Sequence, residues 1–224
     1  MRHGFRALVF DFDGLILETE RPDYQSWLEV YQEHGLDLSR EVWGAVIGRG
    51  ADYFDPLANL ERRLGRPVDR EPVAARRRAR HQALIDALEI LPGVAQYVLD
   101  AQRLGLKLAV ASSSSRRWVT GHLASLHLDS FECVVCRDDV DRAKPYPDLY
   151  LAATGCLRVR PEEAIALEDS ANGIAAAKAA GLTCVAVPNE MTEDLDLSAA
   201  DLRLRSLDEM PLDQLLDRLS RAGR

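Results

Sequence analysis

The sequence predicts an α/β chain: a parallel sheet flanked by helices, with an all-helical segment inserted directly after the first strand. Three observations carry that prediction. From about residue 90 onward, short apolar runs rich in strand-favouring residues alternate with amphipathic helical stretches, which is the pattern of βαβ units. Several of these runs stop abruptly at acidic or hydroxyl residues, as buried strands do at a sheet edge. Residues 20–89, by contrast, show helical periodicity and no strand signal. The chain therefore divides into an α/β core, 1–19 and 90–224, and a helical insertion, 20–89.

The first strand is residues 6–10, and it runs into Asp11, a charge that would be costly to bury without a partner. Asp13 follows two residues on, and Gly14 supplies the backbone freedom for a tight departure from the strand. At about 4 Å and an effective dielectric of about 20, two carboxylates repel by roughly 4 kcal/mol, so a cation or hydrogen-bond donors must intervene. A strand end followed by an ordinary Asp-Gly turn gives the same letters. In the insertion, Trp27, Leu28, Val30 and Tyr31 recur at helical spacing, with Gly35 placed to end the helix. Residues 36–46 form a second short helix, and Tyr53, Phe54, Leu57, Leu60 and Leu64 line a third. Residues 71–91 form a long helix whose basic cluster, Arg76, Arg77, Arg78 and Arg80, reads as a solvated face.

In the core, helices are expected at 94–104, 119–128, 148–154 and 173–180, and strands at 107–111, 132–135, 164–167 and 183–187. Residues 202–204 suit a short edge strand, and 207–219 a final helix.

The bulk numbers narrow the function classes. A chain of 224 residues, 47% hydrophobic and 29% charged, has the composition of a soluble globular protein. No stretch approaches the length of a membrane span, and the N-terminus runs straight into the first strand, so no signal peptide and a cytoplasmic setting are expected. A net charge of -8 disfavours nucleic acid, whose binding draws on clustered Lys and Arg. Cys133, Cys136, Cys156 and Cys184 show no disulfide-framework spacing, and the Cys133-Val-Val-Cys136 run reads as core packing rather than a zinc or redox pair.

Three further strand ends carry chemistry. The second strand ends in Ser112, Ser113, Ser114 and Ser115 at a helix entry, where hydroxyls and free N–H groups suit a phosphate, although N-capping alone would account for one of the four. After the third comes Lys144, set between prolines that stiffen the loop, although a lone loop Lys is usually solvated. The fourth ends at Glu168 and Asp169, followed by Ser170, either of the last two being a possible helix cap. Carboxylates gathered at one sheet edge, with one Lys and a serine-rich helix entry, suit a hard divalent cation and a phosphate, and oxygen ligands favour Mg²⁺.

These motifs, Asp11-Phe12-Asp13-Gly14, Ser112, Lys144-Pro145 and Glu168-Asp169, occur in the order and at the strand ends that mark the haloacid dehalogenase-like hydrolase superfamily, which the sequence resembles over nearly its whole length. The wording is similar to that of the β-phosphoglucomutase and phosphoglycolate phosphatase branch. The resemblance implies a Rossmann-like core with a helical cap and a phosphatase of small phosphorylated metabolites. In that reading Asp11 is the nucleophile, Asp13 the acid and base, and Ser112 and Lys144 phosphoryl contacts. Mg²⁺ would be held by the Asp11 carboxylate, the Asp13 carbonyl and Asp169, with Glu168 supporting its waters. Ser113, Gly14, Glu20, Asp23 and Arg49 are the candidate substrate contacts, with Tyr53 beside them. A phosphosugar mutase is the alternative, but mutases carry a His where Asp23 aligns and an Arg where Ala51 does. A non-catalytic phospho-aspartate receiver is a further one, which the long helical insertion disfavours. A monomer or weak homo-oligomer without membrane or nucleic-acid partners is expected.

Overall fold

A computed structural model describes residues 4–44 and 54–222. Six strands, β1 (Ala7–Phe10), β2 (Lys107–Ala111), β3 (Cys133–Val135), β4 (Ala164–Glu168), β5 (Thr183–Ala186) and β6 (Leu202–Arg203), form one sheet in the order β3-β2-β1-β4-β5-β6. Every pairing is parallel. The central strand β1 is held on both sides, with Leu8 opposite Leu108 in β2 and Ile165 in β4.

Alternation along β1 sorts its side chains between two cores. Leu8 and Phe10 join one cluster with α5 (Val94–Leu104), α6 (Arg116–Ser125) and α9 (Leu212–Ala222). Ala7 and Val9 join the other, with α7 (Asp148–Leu157) and α8 (Ala171–Ala179). That second face is built largely of small residues, Ala109, Ala111, Ala164, Ala166 and Ala186, which lets its helices approach the sheet closely. The chain leaves β1 for β2 on one side and later returns to β4 on the other, so the crevice at the carboxyl ends of β1 and β4 is the topological switch point where ligands bind in such sheets.

Between β1 and α5 lie α1 (Glu20–Glu33), α2 (Arg40–Gly44), α3 (Pro56–Leu64) and α4 (Arg70–Ile85). These helices have a hydrophobic cluster of their own, built on Tyr24, Val30, Tyr31, Leu38, Trp43, Leu60 and Val73, into which one core residue, Met191, intrudes. Tyrosine hydroxyls tie it together: Tyr24 donates to the Leu38 carbonyl at 2.7 Å and Tyr31 to that of Pro56 at 2.8 Å. Where the chain enters and leaves the insert, Leu17 and Ile90 form an antiparallel bridge and the Leu91 N–H bonds the Ile16 carbonyl at 2.9 Å. That return explains why α4 stops at Ile85 instead of continuing to residue 91. No helix among the described residues is long and apolar enough to cross a membrane.

Other boundaries shift because local caps outrank periodicity. Ser115 accepts from the Trp118 N–H and starts α6 three residues early, and Ser170 accepts from the Gly173 N–H at 3.1 Å and starts α8 at Ala171. Asp55 caps α3, so that helix begins after Phe54. The segment 207–219 divides into a short 3-10 turn, Leu207–Glu209, and α9.

Two expectations are corrected. Cys133 is not simply packed: it forms a disulfide with Cys156, 23 residues away, joining edge strand β3 to α7, while Cys136 and Cys184 are free and buried. The basic cluster is not uniformly solvated either. Arg76, Arg78 and Arg80 make exposed ion pairs with Glu33, Glu71 and Glu29, but the Arg77 side chain is only 14% exposed, pairs with Asp23, donates to Ser26 Oγ and lies over the Trp27 ring. It packs α4 against α1, a role for its aliphatic stem and planar head that charge counting does not reveal.

Leu8 is fully buried in the middle of the central strand. Leu8→Ala is expected to cost about 2–5 kcal/mol of unfolding free energy by urea titration, through lost burial and the cavity left behind.

Candidate active site

Asp11 leaves the sheet at the end of β1, and its N–H bonds the Leu167 carbonyl of β4 at 2.9 Å, which locks the two strand ends in register. Asp11, Glu168 and Asp169 are all buried, and each offers a carboxylate oxygen within 4.8 Å of the others. Lys144, reaching in from the loop before α7, stands between Asp11 at 2.5 Å and Glu168 at 2.6 Å with its side chain 1% exposed.

Three side chains hold this group in place: Tyr150 and Asn189, which carry no signal in the sequence, and Ser170, which the sequence marks only as a possible helix cap. The Tyr150 hydroxyl donates to Glu168 Oε1 at 2.5 Å, with the Lys144 ammonium 5.3 Å from the centre of its ring. Ser170 Oγ donates to Glu168 Oε2 at 3.3 Å. Asn189 Nδ2, from the segment after β5, donates to Asp169 Oδ2 at 2.8 Å and to the Gly14 carbonyl at 3.1 Å. Gly14 has a φ of +83°, and a Cβ there would overlap Asp169 Oδ2, so the close approach of these two segments requires glycine twice over.

Asp13 turns toward the serine-rich loop. Its Oδ1 accepts from Thr19 Oγ1 at 2.8 Å and from Trp118 Nε1 at 2.9 Å, and its Oδ2 from Ser114 Oγ at 2.6 Å and Ser112 Oγ at 3.2 Å. Ser112 also accepts from the Ser114 N–H at 3.0 Å. Ser113 Oγ, by contrast, is buried and without a hydrogen-bond partner among the described residues. Ser115 is the residue spent on capping.

Of the residues expected from the insert, Glu20 opens α1 half-buried beside the acids, where burial and then Asp13 push its carboxyl up to about 8. Asp23 is engaged by Arg77, with His81 Nε2 3.9 Å away, so its carboxylate is committed to holding the insert together. Arg49, Tyr53 and Ala51 lie outside the described residues.

The charges in the cluster do not balance. Burial and then Glu168 drive the Asp11 carboxyl upward, against the lowering effect of Lys144. Burial and then Asp11 hold Asp169 well above the carboxylate range. Burial alone would lower the Lys144 ammonium, but Asp11 and Glu168 overcome it and keep it above its ordinary value. One ammonium cannot neutralise three buried carboxylates, and desolvation makes the surplus expensive. Glu168 already has Lys144, Tyr150 and Ser170, so Asp11 and Asp169 are the oxygens best placed to take a hard divalent cation, and the donor set fits Mg²⁺.

The residues that meet here are spread along most of a recognisable family profile: the model of haloacid dehalogenase-like hydrolases matches residues 5–181. The chain belongs to that family. Among relatives of this hydrolase, the protein YhcW of Bacillus subtilis (strain 168) is 46% identical over 216 residues, covering 96% of this chain and 98% of YhcW. Hexitol phosphatase B of Escherichia coli (strain K12) is 32% identical over 214 residues, covering 94% and 96%. The crystal structure of a CbbY mutant from Rhodobacter sphaeroides in complex with xylulose-(1,5)bisphosphate superposes with a TM-score of 0.71 at 31% identity, covering 92% of this hydrolase and 96% of CbbY.

The raised carboxyls fix how stability should respond to pH and metal. A folded-state value above the unfolded one means that the folded protein binds protons more tightly, so stability falls as pH rises from about 4, the unfolded carboxylate value, toward about 8, the value of Glu20. A divalent cation competes with those protons and relieves the same repulsion. Mg²⁺ is therefore expected to raise the thermal midpoint of the apoprotein more at about pH 8 than at about pH 6 in a fluorimetric melt; an equal or smaller gain at the higher pH would contradict the assignment.

Proposed function

We propose that this hydrolase is an Mg²⁺-dependent phosphatase of small polyhydroxylated phosphate monoesters that works through an aspartyl-phosphate on Asp11. The observation that carries the reading is the buried convergence of Asp11, Glu168 and Asp169 around a single Lys144, with Asp13 two residues beyond Asp11. Phosphoryl transfer asks for positioned positive charge more than for covalent machinery, and this edge of the sheet is arranged to concentrate it.

In the first half-reaction an Asp11 carboxylate oxygen attacks phosphorus while the bond from phosphorus to the alkoxide oxygen breaks. Asp13 gives its proton to that departing oxygen. In the second half-reaction the Asp13 carboxylate takes a proton from water as the water oxygen attacks the same phosphorus, which regenerates Asp11 and frees inorganic phosphate. Lys144 grips Asp11 Oδ1, fixing the direction of attack and offsetting charge on the transferring group. Glu168, bonded to Lys144 and Tyr150, serves mainly to hold that ammonium in place. Ser113, with its unpartnered hydroxyl, joins Ser112 as a phosphoryl contact. Mg²⁺, held by the Asp11 and Asp169 carboxylates and the Asp13 carbonyl, would supply the positive charge that lets an anionic oxygen approach an anionic phosphate.

The insert acts as a cap that covers the switch-point crevice and excludes bulk water. Glu20 is a carboxylate that it brings beside the acids, suited to a substrate hydroxyl. Relatives named for a hexitol phosphate and crystallised with a pentulose bisphosphate support polyols and sugars as the leaving group. The engagement of Asp23 by Arg77 leaves no free base at the position where a mutase would need one, which supports hydrolysis over transfer to a second hydroxyl.

Phosphate release from sorbitol 6-phosphate, xylulose 1,5-bisphosphate, glucose 6-phosphate and 2-phosphoglycolate, with and without Mg²⁺, tests the reading directly. Asp11→Asn is expected to lose at least about a thousandfold in turnover, with its circular dichroism unchanged, and Asp13→Asn about 10²–10⁴. Near-normal phosphate release by Asp11→Asn would end the proposal.

A further inference from the structure

Four hydrogen bonds fix the Asp13 carboxylate, and three of them come from hydroxyls that the β1 exit and the β2–α6 loop place beside it. The fourth is of another kind. Trp118 sits in the first turn of α6 and donates its indole N–H to Asp13 Oδ1 at 2.9 Å, across 105 residues of chain. A hydroxyl can donate or accept, but an indole N–H only donates, so this bond holds Oδ1 toward the indole as an acceptor, while Oδ2 lies between two serines whose hydroxyls can turn either way.

The same ring is gripped from the insert. His81, on α4, lies parallel to Trp118 with ring centroids 5.8 Å apart and an interplanar angle of 13°. Beneath, His122 meets Trp118 edge-on at 4.3 Å and stacks on Phe12, the residue between the two acids, at 6.1 Å. Burial and then Arg77 lower His81 to about 4, so the ring lies on Trp118 as a neutral, flat apolar surface. Arg77 and Asp23, which flank His81, are the ion pair that joins α4 to α1. A contact path thus runs from the middle of the insert to the carboxylate proposed as acid and base, and it passes through one indole.

We propose that Trp118 is a positioning residue for Asp13, and that the His81 ring, by clamping the indole, makes the alignment of Asp13 depend on the docked position of the helical insert. This rests on the phosphatase reading of Asp13 and goes beyond it in naming what aims that carboxylate and what couples it to the insert. A residue that only filled space in the core would serve every substrate alike. A residue that aims the proton donor matters most where the leaving oxygen needs a proton.

The experiment compares kcat/KM, which reports steps up to departure of the leaving group, for sorbitol 6-phosphate, whose alkoxide needs a proton, and for p-nitrophenyl phosphate, whose phenolate does not. Trp118→Phe keeps an aromatic six-membered ring while removing the pyrrole half of the indole with its N–H. It is expected to lose about tenfold on the sugar-alcohol ester and under about threefold on the aryl ester, the scale of one charge-assisted hydrogen bond. His81→Ala should give the same split, and His81→Phe, which restores a flat ring, should recover most of the loss. In a Trp27→Phe, Trp43→Phe background Trp118 is the remaining tryptophan of three, and its emission should shift to the red on His81→Ala and return with His81→Phe. Equal losses on both esters, or none on either, in a wild type that hydrolyses both would overturn the positioning role while leaving the phosphatase reading intact. Unchanged Trp118 emission in His81→Ala would overturn the clamp. A wild type that hydrolyses neither ester, with Asp11→Asn indistinguishable from it, would overturn the phosphatase reading and the positioning role together.

Discussion

The structure is organised around an electrostatic debt: three carboxylates, Asp11, Glu168 and Asp169, are buried at one edge of a parallel sheet against one ammonium, Lys144. In low dielectric such a surplus is tolerable only if each remaining oxygen is bonded, the group is rigidly held, and a further cation can enter. The neighbours supply much of that bonding and support. Tyr150 and Ser170 satisfy Glu168, and Asn189 braces Asp169 against the Gly14 carbonyl. Gly173 at the start of α8 leaves room for the Glu168 carboxylate, which a Cβ there would overlap. The site is thus expensive to fold, and its buried acidic cluster could hold a divalent ion.

The sheet makes that concentration of charge possible. Parallel strands in register bring β1 and β4 to the same height, so residues 158 apart in sequence end up side by side at Asp11 and Asp169. The two faces differ in a way that serves the site. On one, leucines and aromatics of α5, α6 and α9 give a deep core; on the other, alanines let α7 and α8 lie close enough that Tyr150 and Gly173 reach the acids.

The helical insert has a core of its own, and two of its contacts with the α/β part, among the described residues, differ in kind. In one, Glu190 accepts from Arg40 at 2.8 Å and lies 3.4 Å from Arg21, beside Met191, which is buried in the insert's cluster. In the other, His81 lies on Trp118. The first joins exposed ion pairs, worth little on their own, to a buried methionine. The second is aromatic and leads directly to Asp13.

Much of this was legible in the sequence because the signals are local. Strand-favouring runs, their termination at Asp11, Ser112 and Glu168-Asp169, and the unbroken helical periodicity of the insert each depend on neighbours within a few residues. They yielded the parallel α/β core, and the acids, hydroxyls and lysine as site candidates. Helix starts were misplaced where a cap at Asp55, Ser115 or Ser170 overrode periodicity, an effect still local in origin. What only the tertiary structure decided is which side chains meet. Asn189, Tyr150 and Trp118 look like ordinary loop and helix residues, Arg77 like one more surface arginine, and Cys133 and Cys156 like unrelated core positions. Their partners lie between 18 and 175 residues away, and the crossover connections, not the local chain, set those distances. A sequence states which groups can ionise or donate; the packing of helices on a twisted sheet determines which of them are left facing one another without water.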